Sequence, residues 1–200
     1  MFNSLTQWYY RKQLKEARYS FLFEPPTDDK VVCFDCETTG LNPKTAELVS
    51  IGAVKIANNV VLTSERLELF IEQNQFINED SIKIHQLRQC DLIGELSVNQ
   101  AVENFLHFLG SRPIVGYFLE FDVAMINKYL KPLLGIKLPN QQIEVSQLYY
   151  KRKYHPFRQH QPIDLSFEAM LDDLNIPKLG KHDAFNDALM TAMMYLKLRT

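Results

Sequence analysis

The chain is poor in cysteine, has no basic excess and contains no long apolar run. It has three cysteines in 200 residues. An odd, small number argues against a disulfide framework and fits a reducing compartment. Cys33 and Cys36 form a C-x-x-C, but within the apolar run Val31-Val32-Cys33-Phe34-Asp35-Cys36. On a strand, residues three apart face opposite sides. No second Cys or His pair stands at ligand spacing, so these read as core cysteines rather than a zinc or redox site. Net charge is −2, from 22 basic and 24 acidic residues, which does not suit a protein that coats long duplex nucleic acid. A short strand end stays compatible if cations offset the carboxylates locally. No stretch approaches the ~18 apolar residues of a membrane span. Residues 1–19 lack the apolar segment of a secretory signal. The expectation is a soluble, cytoplasmic protein that makes no membrane contact.

What is present suits a folded enzyme-sized domain. Apolar residues are 46% and charged residues 23%, enough for a core without structural metal. Residues 4–19 read as a helix carrying Leu5, Trp8, Tyr9 and Leu14. Pro25-Pro26 and Asp28-Asp29 break it, so a linker is expected near 23–29. This divides the chain into an extension, 1–29, and a domain, 30–200. In the domain, 30–35 reads as a buried strand. Strands follow at 48–56 and 60–70, with Asn58-Asn59 as the turn between them. Helices are expected at 98–109, 121–134, 165–174 and 183–198, with a short strand at 113–116. Residues 143–149 fit either type. A meander followed by alternating helices and short strands predicts an α/β fold with a mixed sheet flanked by helices.

Three segments carry acids where chemistry is plausible. In Phe34-Asp35-Cys36-Glu37-Thr38-Thr39-Gly40, period two puts Asp35 and Glu37 on one strand face. Two buried carboxylates need a cation or a proton, and a hard divalent ion is the natural oxygen-bound partner. The bland alternative is a strand that ends in a polar turn. Asp122 stands near a helix start, where the dipole alone would favour an acid. His182 lies at the mouth of the final helix and Asp187 just inside it. Ala184, Ala188 and Ala192 on that helix would let it approach the sheet closely enough for Asp187 to reach the first strand. An exposed His at a helix start is the ordinary alternative.

Together the three segments resemble the DEDDh 3′–5′ exonuclease family, whose members include the proofreading subunit of bacterial replicative DNA polymerase, ribonuclease T and oligoribonuclease. The similarity runs from about Lys30 to Leu198 and keeps the motif order and the His-to-Asp step. It implies a ribonuclease H-like fold. Asp35, Glu37, Asp122 and Asp187 would be metal ligands, and His182 would be the general base. Two divalent ions, Mg²⁺ or Mn²⁺, would sit about 4 Å apart. It further implies release of 5′-nucleoside monophosphates from a single-stranded 3′ end, with Thr38 reading the terminal sugar, Leu41 beside the terminal base, and His85 of Ile84-His85 lining the pocket. Two departures stand out. Gln86 replaces a glycine common after the Ile-His pair, and Tyr117-Phe118 stands where many members carry His-Asn. Lys151 and Arg152, in the basic and aromatic stretch Tyr149–His160, suit a strand-gripping loop or simply a solvated one. DNA is favoured over RNA from the first motif and the His85 segment. An RNA-directed enzyme is the alternative within this class. The alternative outside it is a partner-binding module, with the aromatic extension docking a polymerase or another protein.

Overall fold

A computed structural model describes residues 4–73, 81, 86–154, 162–180 and 182–199. Five strands form one sheet: β1 (Val31–Thr38), β2 (Leu48–Ala57), β3 (Val60–Phe70), β4 (Ile114–Gly116) and β5 (Gln142–Glu144), in the order β3-β2-β1-β4-β5. β1, β2 and β3 pair antiparallel, whereas β4 and β5 join parallel to β1. The mixed α/β sheet expected from the sequence is therefore present. The β2–β3 turn takes positive φ at both Asn58 and Asn59. This is the mirror-image turn whose twist matches a hairpin, and Asn tolerates it.

Among the described residues, six α-helices accompany the sheet: α1 (Ser4–Gln13), α2 (Val98–Leu109), α3 (Leu119–Leu134), α4 (Val145–Lys153), α5 (Phe167–Asp173) and α6 (Ala184–Arg199). β1 is covered on both faces, which is why it reads as a continuous apolar run. Val32, Phe34 and Cys36 pack with Phe105, Leu106, Ile126 and Leu130 of α2 and α3. Val31 and Cys33 pack on the other face with Val54, Met170, Met190 and Met194. Cys33 and Cys36 are thus separated by the sheet, as the strand geometry required.

Two expectations need correction. The first strand does not stop at residue 35 but runs on to Thr38, carrying Asp35 and Glu37 inside the ladder opposite Gly52 and Ser50. The N-terminal helix does not reach residue 19. It ends at Gln13: the Leu14 N–H still donates to the Tyr10 carbonyl at 3.0 Å, but the Lys15 N–H leaves the helix and donates to the Leu134 carbonyl at 3.0 Å. A 3₁₀ turn, Ala17–Phe23, follows. It inserts Tyr19, Leu22 and Phe23 into the α2–α3 core. The chain then returns to β1 past Asp28, which accepts from Arg112 Nε and Nη2 at 2.8 and 2.7 Å.

Candidate active site

Strand β1, helix α3 and helix α6 deliver their acids to one place. Asp35 and Glu37 alternate outward from β1 toward α6, and Glu37 is only 8% exposed. Asp122 lies in the first turn of α3, 3% exposed, and its Oδ1 accepts from the Cys36 amide at 3.2 Å. Donor atoms of Glu37, His182 and Asp187 all lie within 4.8 Å of one another. His182 is exposed and takes φ 56° as the chain turns into α6.

Gly52 makes this convergence possible. It pairs with Asp35 in the ladder, and a Cβ placed there would lie 2.2 Å from both the Ala184 carbonyl carbon and the Phe185 nitrogen. The start of α6 therefore rests directly on the β2 backbone. Ala184, Ala188 and Ala192 are all buried along the same contact. Motif reading overlooked Gly52, although the signal existed: a lone glycine within a β-branched strand marks a close backbone approach. It also overlooked Asp183, whose charge adds to the field at Asp35 and Glu37.

The electrostatics follow from burial and like charge. Burial pushes the Asp35 carboxyl well above its usual range, and Asp122, Asp187, Glu37 and Asp183 push it further. Asp122 is raised by burial against the opposing pull of the Cys36 amide. Glu37 is pushed up to about 7, by burial first and then by Asp187 and Asp183. A buried group of acids that raise one another in this way, with an imidazole at its rim, fits a divalent cation held by oxygen and nitrogen ligands. Without metal, the cluster is destabilising when ionised. Between the ordinary glutamate value of 4.5 and about 7, the folded protein keeps a Glu37 proton that the unfolded chain has released. Stability in EDTA should therefore fall as pH rises through that window, by about 3 kcal/mol for Glu37 alone. Denaturant midpoints at both ends of the window, with and without Mn²⁺, test this. A metal-free midpoint that does not move would count against a strained cluster.

The remaining candidate residues fall in different places. Thr38 Oγ1 donates to the Gly40 carbonyl at 2.8 Å, which tightens the turn beyond β1. Leu41, 88% exposed, stands on that turn. His85 lies outside the described residues. Lys151 and Arg152 belong to α4 rather than to a loop, and α4 packs along α6. Arg152 Nη1 donates to the Lys197 carbonyl, ten residues beyond Asp187 and hence ~15 Å further along α6. Lys153 pairs with Asp173 at 2.6 Å. Arg152 and Lys153 are thus engaged along α6 and α5 rather than at the carboxylates, and residues 155–160 of the basic stretch lie outside the described residues.

A mixed sheet in this order, with acids gathered toward the end of its central strand, has the ribonuclease H-like fold. The RNase T exonuclease family matches residues 32–195, and the chain belongs to it. It is a 3′–5′ exonuclease. The DNA polymerase III subunit epsilon of Aquifex aeolicus is 27% identical over 86% of this chain and 81% of that protein. The PolC-type DNA polymerase III of Thermotoga petrophila is 26% identical over 92% of this chain, which spans only 13% of that polymerase. Among solved structures, E. coli exonuclease I in complex with a dT13 oligonucleotide superposes with TM-score 0.72 at 13% identity, over 86% of this chain and 41% of that one. Exonuclease X in complex with 5′ overhanging duplex DNA gives 0.63 at 18% identity, over 84% and 90%. These neighbours share the fold. The family depends on divalent metal, and the exonuclease I–ssDNA complex is also known in a zinc-bound form. Among the described residues, no helix is long and apolar enough to cross a membrane.

Proposed function

We propose that the chain removes 5′-nucleoside monophosphates one at a time from the 3′ end of single-stranded DNA. Asp35, Glu37, Asp122 and Asp187 would hold two divalent cations, Mg²⁺ or Mn²⁺. His182 would act as general base. The observation that carries this reading is the meeting of Glu37, His182 and Asp187 within 4.8 Å, beside the buried Asp35 and Asp122. When bound, such ions activate water and stabilise charge on the attacking and leaving oxygens. His182, exposed at the rim, accepts the proton from the attacking water. The Thr38 turn and Leu41 border the terminal sugar and base.

DNA as substrate is supported by the epsilon and PolC names of the relatives, by the oligonucleotide held by exonuclease I and by the 5′ overhanging duplex DNA held by exonuclease X. The same relatives support a cytoplasmic enzyme working beside a polymerase. In this reading 30–200 is the exonuclease domain and 1–29 its extension.

The test is incubation with 5′-labelled single-stranded DNA and RNA of one sequence, in Mg²⁺, Mn²⁺ or EDTA. A ladder shortening from the 3′ end, faster on DNA and absent in EDTA, is expected. Faster loss of RNA would reassign the substrate. His182→Gln is expected to lower kcat about a hundredfold or more. The wild-type rate should rise from acid toward mildly alkaline pH, since the base must be unprotonated. A variant with undiminished kcat would remove His182 from the mechanism.

A further inference from the structure

Phe118 closes the loop before α3 with its ring 70% exposed. Its backbone is nevertheless left-handed, at φ 52° and ψ 34°, a region that Gly, Asn and Asp occupy more readily. A large apolar side chain both solvated and strained persists where its surroundings enforce it, and such residues gather at functional sites. Here the surroundings are specific. The Tyr117 ring meets Phe118 edge-on at 4.7 Å and packs against Phe167 at 4.9 Å. Tyr117 Oη donates to the Leu165 carbonyl at 3.1 Å. Glu144 supplies the helix cap that Phe118 cannot: its Oε2 accepts from the Leu119 amide at 2.9 Å. Its Oε1 accepts from the Ser146 amide and hydroxyl at 3.1 and 2.8 Å. The ring is therefore held outward rather than folded in.

It borders an open cavity of about 490 Å³, walled by Leu119, Gln142, Glu144, Ser146 and Gln147. That space admits a nucleobase. Its wall joins an aromatic face to two glutamine amides, which can both donate and accept. Asp122 follows Phe118 by one helical turn, roughly 6 Å along α3. The clustered acids do not line the cavity, but its Glu144 is near enough for its charge to act on Asp122.

We propose that Phe118 and this cavity form a stacking subsite for a nucleobase upstream of the 3′-terminal nucleotide, with Gln142 and Gln147 meeting the base edge. The inference rests on the exonuclease reading and adds where the strand lies as it leaves the site. Glu120 and Glu144 at the rim disfavour a phosphate there, so the base is the matching group. A ring takes an unstacked base of any sequence but not one already stacked in a duplex, so the subsite selects single strands.

The test couples the ring to the base. Short oligothymidylates, each with one abasic residue at a different position near the 3′ end, are compared on wild type, Phe118→Ala, Phe118→Asn and Phe118→Trp. KM is measured in Mg²⁺, and Kd by fluorescence anisotropy in EDTA. At one position upstream of the terminus, the abasic residue should weaken wild-type binding about tenfold. That cost should vanish in Phe118→Ala and Phe118→Asn and return in Phe118→Trp. Asn suits the left-handed backbone, so it separates loss of the ring from strain. Equal abasic costs in all proteins, or absence of binding, would overturn the subsite. Wild type that shows the coupling in Kd but does not shorten the strand would refute the exonuclease reading and keep the subsite. Shortening without coupling would refute the subsite alone.

Discussion

Asp35→Asn is expected to lower kcat by about four orders of magnitude, near 5.5 kcal/mol of lost transition-state stabilisation, while the metal-free protein becomes more stable. Asp35 sits within the β1 ladder opposite Gly52, so an amide of the same shape leaves the strand pairing intact. Its carboxyl is pushed up by burial and by Asp122, Asp187, Glu37 and Asp183. Removing that charge removes a repulsive member of the cluster along with a proposed ligand. Activity should collapse while the thermal midpoint in EDTA at neutral pH rises. Adding Mn²⁺ should then stabilise the variant less than it stabilises wild type. The opposite result, a variant that keeps a tenth or more of its activity, would show that Asp35 is not a ligand. Parallel loss of fold and activity would show that its role is structural.

Gly52→Ala should cost about 3 kcal/mol or more of stability. It should also lower kcat about a hundredfold, the scale expected from a 1 Å misplacement of reacting groups. The added methyl would meet backbone on both sides of the Ala184–Phe185 peptide, at 2.2 Å from carbon and nitrogen and 2.4 Å from the Ala184 oxygen. Backbone cannot rotate aside as a side chain can, so the start of α6 must lift. His182 and Asp187 would move with it, away from Glu37. Gly40→Ala is the matched control, because a Cβ there has no neighbour within 4 Å. Chemical denaturation and single-turnover kinetics on both variants separate the outcomes. A Gly52→Ala protein of wild-type stability would mean that α6 approaches the sheet less closely than described.

Much of this was readable from local pattern, for physical reasons that particular residues show. Val98–Leu109 forms as a helix because its apolar spacing and the Ser97–Gln100 capping box act within one segment. The β2–β3 hairpin follows from Asn58-Asn59 and the flanking β-branched runs. Period two alone places Asp35 and Glu37 on one face. Contacts made across the chain were not readable in this way. Residues 143–149 looked ambiguous because the segment is both: β5 ends at Glu144, whose side chain accepts the Ser146 amide and starts α4. The break after Gln13 depends on the Leu134 carbonyl, over a hundred residues away. Arg152 reads as available cation, but its guanidinium is occupied by the end of α6. Gly52 matters only because Ala184 lies above it.

α3 carries Asp122 in its first turn, and its last turn meets the N-terminal segment through the Lys15–Leu134 hydrogen bond. Twelve residues of helix separate the two ends, roughly 18 Å. Trp8 and Tyr9, both largely exposed, stand on the helix that leads into this contact. The chain beyond α1 is thus anchored at the far end of α3, so a disturbance at that anchor reaches Asp122 only through the length of the helix.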